Sequence, residues 1–204
     1  MTDLPLSQAI IVSEALALMN EGGIDQVSLR KVAARLGIRA PSLYWHVKSK
    51  AELFVLMADT LMRECIGSLG GADDTRAWLQ QFGVTLWRVQ TGNTDFARLL
   101  NLAKWPTDAL ERIDVELTGQ LGRFGVTRDT AAELHSSVQA LVTGWAGFAT
   151  GPNGDYIAGS IDIERTFRLG LDALIDGMLG RLCPGADEVA ERIQAPPRRR
   201  ARAR

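Results

Sequence analysis

Between Val27 and Phe54 the chain reads VSLRKVAARLGIRAPSLYWHVKSKAELF, and this stretch punctuates itself so closely that few backbones fit it. Ser28 is suited to cap a helix. Leu29, Val32, Ala33 and Leu36 follow at helical spacing, so one face is apolar. Gly37 ends that helix, because glycine takes the left-handed backbone of a helix terminus at no steric cost. Pro41 fits the first turn of another short helix, where its missing N–H is no loss. Ser49 and Glu52 stand in S-x-x-E spacing, a capping box, which opens a long helix from Lys50 to about Ile66.

The rest of the chain follows the same period. Ile11, Ala15 and Met19 share a face that Val12 and Leu16 extend, and Gly22-Gly23 stops that helix. GSLGGADD, 67–74, is a Gly/Asp-rich hinge. Beyond it, helices are expected at about 75–91, 95–103, 107–123, 128–150 and 162–182, with 151–160 as a Gly/Pro loop. No stretch alternates with period two for long enough to argue a sheet, and no solenoid repeat appears, so the fold class is all-α. The segment APPRRRARAR is basic, low in complexity and interrupted by proline, which predicts disorder.

Net charge is near zero, but it is unevenly placed. Residues 1–50 carry six Lys/Arg against four Asp/Glu, whereas 51–194 carry 12 against 20. A basic front on an acidic body predicts that one end meets a polyanion. The start MTDLPLSQAI lacks the basic and apolar regions of a secretory signal, and no run reaches the ~18 apolar residues a spanning helix needs, so a cytoplasmic location is expected. Cys65 and Cys183 form no CxxC and read as reduced packing residues. HExxH, P-loop and GxSxG motifs are all missing, so an enzyme is not expected, and no cofactor or metal site is indicated.

Residues 28–46 have helix-turn-helix dimensions, with Gly37-Ile38-Arg39 as the turn. In that arrangement the second helix enters the major groove of DNA. Cations that neutralise phosphates give affinity, and contacts to base edges give sequence choice. Tyr44 and His46 are able to bond phosphates, and Ser42, Ala40 and Pro41 to meet bases. Trp45, beside Leu43 and Val47, reads as part core plug. The competing reading is an amphipathic hairpin with a solvated charged face.

The same 28 residues resemble the DNA-binding signature of the TetR family of bacterial repressors, and LYWHVK is most similar to the tetracycline repressor branch. The resemblance is strong over about residues 8–66 and continues weakly beyond. It implies an N-terminal three-helix helix-turn-helix domain at 1–50, a connecting helix at 51–66, a ligand-binding and dimerisation domain at 67–185 and a disordered basic tail at 186–204. It also implies a homodimer on a two-fold operator. Carried over by position, the DNA contacts are Ser28, Arg30, Arg39, Ala40, Pro41, Ser42, Tyr44, Trp45, His46, Lys48 and Lys50. Two departures stand out. Those repressors have glutamine at the position of Ala40 and an acid at that of Arg39, so a different operator is implied.

The effector is less legible. The family's tetracycline receptors hold a magnesium-chelated drug with histidines, but this chain has Ile66 at one such position and ARLLNLAKW, without histidine, over 97–105. Magnesium–tetracycline is therefore not the expected inducer. An apolar pocket is expected instead from Trp78, Phe82, Leu86, Phe96, Leu100, Trp105 and Trp145, with Gln81, Thr85 and Asn101 to orient a ligand. Plain core is the competing reading for each of these. His135 reads as packed or interfacial. The dimer face is expected from the last two long helices, through Ala140, Gly144 and Gly147 on one and Phe167, Leu171, Leu174, Ile175, Met178 and Leu182 on the other. The function so predicted is a ligand-responsive, DNA-binding repressor. The alternatives are an activator of the same fold and a non-catalytic helical adaptor.

Overall fold

The computed structural model describes residues 6–183, and within them every regular element is helical. In chain order these are α1 (Gln8–Gly22), a single 3₁₀ turn (Ile24–Gln26), α2 (Leu29–Arg35), α3 (Ala40–Tyr44), α4 (Lys50–Gly67), α5 (Thr75–Gly92), α6 (Phe96–Leu102), α7 (Thr107–Gly122), α8 (Arg128–Thr150), α9 (Gly154–Ser160) and α10 (Ile163–Leu182). The arginine-rich segment read as a disordered tail lies outside the described residues.

The helix ends are fixed chemically. Ser28 Oγ accepts from the Lys31 N–H at 3.3 Å, and Ser49 Oγ from the Glu52 N–H at 3.1 Å. Glu52 completes its half of the box one residue early: its Oε2 accepts from the Lys48 N–H at 2.7 Å rather than from Ser49. Asp74, Thr127 and Asp162 cap α5, α8 and α10 in the same way.

The first three helices and the start of α4 enclose one apolar centre of Ile11, Ala15, Met19, Val32, Ala33, Leu43, Val47, Leu53 and Met57, all buried. Burying each large aliphatic side chain there stabilises by about 1.5–3 kcal/mol. α8 is the hub of the second half and packs on α5, α7 and α10. Gly83 lets α10 come close, since a Cβ there would lie 2.8 Å from both Leu171 methyls. Trp87 and Phe167 stack at 4.4 Å across the same seam. α4 runs between the halves, with Cys65 in its buried face; burial pushes that thiol up to about 12, so it is inert.

Three expectations need correction. The 151–160 loop contains α9, which forms after a turn in which Gly154 closes on its neighbours: a Cβ there would lie 2.5 Å from the Ala149 carbonyl oxygen. Trp45 plugs nothing: it is 87 % exposed. Leu43 and Val47, one turn apart, fill the space, and an intervening residue points the other way. Phe167, Leu171 and Ile175 do not form a free face; they are buried within the single chain against α5 and α8.

Candidate nucleic-acid interface

α3 is short and presented outward. Its inner anchor is Leu43, fully buried. The turn before it depends on Gly37, which has φ +66° and open space around it. Arg39 stands at the N-cap of α3 and is exposed. Pro41 sits in the first turn, and Ser42 is exposed beside it.

Tyr44 is 49 % exposed, next to Trp45, and His46 is half-buried with its carbonyl oxygen accepting from Gln8 Nε2 at 3.0 Å. That bond ties the end of the reading segment to α1. Lys48 and Lys50 are exposed, and the Lys50 ammonium lies 5.1 Å from the Phe54 ring centre, a cation–π contact that steadies it at the mouth of α4. Arg30 is exposed on α2, whereas Lys31 is engaged by Gln26. Ser28 is half-buried and committed to capping. Residues 30–50 thus carry exposed aromatic edges, a hydroxyl and four exposed cations, Arg30, Arg39, Lys48 and Lys50, none of them in an ion pair among the described residues. Such a set can grip phosphates while α3 meets base edges.

The residues expected to hold an effector are distributed otherwise. Trp78, Phe82, Leu86 and Phe96 are fully buried. Trp78 stacks on Phe82 at 5.4 Å and donates its indole N–H to Gln120 Oε1 at 3.0 Å. Gln81 is occupied: Nε2 donates to the Gly70 carbonyl at 3.0 Å, and Oε1 accepts from the Gly70 N–H at 3.2 Å, so it pins the hinge between α4 and α5. Thr85, Leu100, Trp105 and Trp145 are half-buried, and Asn101 is exposed. Trp145 packs edge-on against Phe148 at 5.8 Å. Ile66 is buried in the core, and among the described residues no cluster of His, Cys, Asp or Glu is arranged to hold a metal ion. His135 is buried, its Nε2 3.6 Å from an Asp114 oxygen. Burial lowers its pKa below the ordinary value, with Asp114 opposing.

Sequence reasoning missed a polar joint between the two halves. Asp95 holds a left-handed backbone, φ +59°, and its Oδ2 accepts from the Ile24 N–H at 2.8 Å. Arg98 bridges Asp95 and Asp25, each at 3.3 Å. Asn20 donates from Nδ2 to Asn93 Oδ1 at 3.1 Å and accepts from the Thr94 N–H at 2.9 Å. Gly23 has φ +81° and ψ 167°, a glycine-only conformation, and a Cβ on it would lie 2.9 Å from the Asp95 carboxylate. The only sequence signal was the paired turn residues at 20–25 and 92–95, which mark loops but not their meeting.

The model for "Bacterial regulatory proteins, tetR family" matches residues 11–57, the described α1–α3 and the start of α4. Tetracycline repressor class D of Escherichia coli is 42 % identical over 71 residues, 34 % of this chain and 33 % of that protein. Class C of Escherichia coli is 27 % identical over 114 residues, 55 % of this chain and 52 % of that protein. The chain thus spans about a third to a half of the length of these relatives. TetR from Acinetobacter baumannii AYE superposes with a TM-score of 0.73 at 26 % identity, over 87 % of this chain and 98 % of that one. ActR from Streptomyces coelicolor, a TetR family protein solved with actinorhodin, superposes with a TM-score of 0.72 at 22 % identity over 89 % and 99 %, which shows shared fold. The reading segment, its sequence match and the helical architecture agree: residues 11–57 match the DNA-binding domain of the TetR family and are similar to the tetracycline repressors, and the chain shares the fold of TetR structures over most of its length.

Proposed function

We propose that this chain is a transcriptional repressor that binds a palindromic DNA operator as a homodimer and is released by a small, largely apolar molecule. The observation that carries the reading is α3: a helix anchored by Leu43 and displaying Arg39, Ser42, Tyr44 and Trp45 in a segment that matches the family's DNA-binding domain. An 87 % exposed tryptophan has no packing role in the single chain and suits a surface that is covered in a complex. Ser28, Arg30, Ala40, Pro41, His46, Lys48 and Lys50 complete the proposed contact set. Residues 1–50 form the reading unit, 51–66 the lever and 67–185 the sensor.

The dimer is supported by open, small-residue faces on α8 and α10. Among the described residues, nothing beyond the adjoining helix backbone lies within 4 Å of a Cβ built on Gly144, Gly147, Gly177 or Gly180, and Phe148 on α8 and Leu169 on α10 stand exposed. These residues, rather than the buried Phe167 row, would meet a second copy. An effector bound among α5, α6 and α8 would reach the reading unit through α4 and the Asp95 joint, provided that it binds the released state more tightly. A TetR variant from Acinetobacter baumannii AYE was solved with minocycline, and ActR with actinorhodin, so polycyclic ligands are a reasonable starting set.

Selection from a pool of random-sequence duplexes on the purified chain tests the reading. An inverted repeat should emerge, with half-site centres about 34–36 Å apart or a multiple of that. Failure to retain any duplex at low salt would defeat the proposal.

A further inference from the structure

α5 carries Trp78, Phe82 and Leu86 at four-residue spacing, and the next position on that row is Gln90. Gln90 is 1 % exposed. Its Nε2 donates to Thr143 Oγ1 on α8 at 3.1 Å, but its Oε1 is buried with no donor among the described residues. A buried amide oxygen left alone is costly, and such atoms in folded proteins are nearly always met by water, an ion or a ligand. The neighbours on both helices, Leu86, Trp87, Val142 and Ala146, are buried and apolar apart from one indole N–H. A lone water, which needs two to four polar partners, is poorly served there. An apolar partner that brings a single donor would satisfy the oxygen, provided that α5 and α8 part to admit it.

The position also has leverage. One turn further along α5, Asn93 donates from Nδ2 to the Val89 carbonyl at 2.9 Å and accepts from Asn20 of α1 at 3.1 Å. Anything that shifts the α5 end at Gln90 is therefore one turn from the joint with the reading unit.

Resting on the effector-responsive reading above, we propose that Gln90 Oε1 is the acceptor for a hydroxyl or N–H group of the effector, which is therefore an aromatic or other apolar molecule bearing a hydrogen-bond donor. Thr143 holds the amide so that its oxygen points to the ligand. The donor specifies orientation, and the Trp87–Phe167 seam provides the apolar wall.

The test uses the full chain and two probes of nearly equal shape, 2-naphthol and 2-methoxynaphthalene, titrated by calorimetry. Wild type should bind 2-naphthol about tenfold more tightly. Gln90→Leu and the volume-matched Gln90→Met should bind the two probes equally, and Thr143→Val, which releases the amide from the partner that orients it, should shrink the preference without abolishing it. Equal affinities in wild type, no binding of either probe, or a preference that survives loss of Gln90 would overturn the inference and leave a buried water as the partner. Retention of DNA by wild type is measured in parallel. DNA binding without donor preference sinks this inference alone, whereas absence of DNA binding sinks the regulator reading.

Discussion

Asp95 offers the sharpest structural test of how the two halves are joined. The residue is a non-glycine in the left-handed region, φ +59°, and it supplies the acceptor for the part-buried Ile24 N–H at 2.8 Å. Removing the acceptor strands that N–H, at about 1–3 kcal/mol. A left-handed backbone costs an alanine about 1–2 kcal/mol relative to glycine, while Asp and Asn tolerate it better. The Arg98 pair is exposed and screened by solvent, so it is left out of the sum. Asp95→Ala should therefore lose about 2–3 kcal/mol, Asp95→Gly roughly 1 kcal/mol less, and Asp95→Asn, which keeps an acceptor and the tolerance, about 0.5–1 kcal/mol. Equilibrium urea unfolding, followed by far-UV circular dichroism and tryptophan fluorescence together, reads all three. The reasoning fails if the alanine variant lies within about 0.5 kcal/mol of wild type, or if glycine proves worse than alanine at this position.

Other outcomes follow from single side chains. Leu43→Ala should cost about 2–5 kcal/mol in urea unfolding, because Leu43 is fully buried; Trp45→Ala, at 87 % exposure, should stay within about 0.5 kcal/mol yet weaken DNA binding measured by fluorescence anisotropy. His135 binds a proton less readily when folded than its ordinary value of 6.5, through burial first and with Asp114 opposing, so unfolding takes up a proton and stability falls as pH drops below 6.5. That loss should be smaller in His135→Leu when unfolding midpoints at pH 7.5 and 5.5 are compared. Gly144→Leu should shift the chain toward monomer in sedimentation velocity, since the face is open within one chain and is the one proposed to meet a second copy.

The reading domain was legible because its signals are local. Serine caps, Gly37 and Pro41 act within a few residues of themselves, and α2, α3 and α4 begin where those residues place them. The long helices after the hinge were legible from apolar period alone, and α8 and α10 begin at an Arg128 and an Ile163 that follow side-chain caps. The misses are of another kind. Trp45 lies two residues from both Leu43 and Val47, and helical phase alone turns it away from them. Which apolar row of α10 faces inward depends on α5, through the gap at Gly83, and no periodicity reports that. The Asp95 joint and the Gln90–Thr143 pair bring together residues more than fifty positions apart, where single-sequence reasoning has no purchase. α9 escaped because its composition, rich in glycine, reads as loop. The effector residues were named by their apolar character, and in this structure the largest of them are core.

The central claim is that the surface around α3 grips the DNA backbone. It is tested most directly by the salt dependence of affinity for a selected duplex. Arg30, Arg39, Lys48 and Lys50 are exposed in each chain, and a dimer that places all of them on phosphates should show log Kd rising with log salt at a slope of about 7. Lys48→Ala, which removes one cation per chain, should lower that slope by about 2 without changing which sequence is preferred. A slope near zero in wild type, or a Lys48→Ala protein with an unchanged slope, would contradict the account.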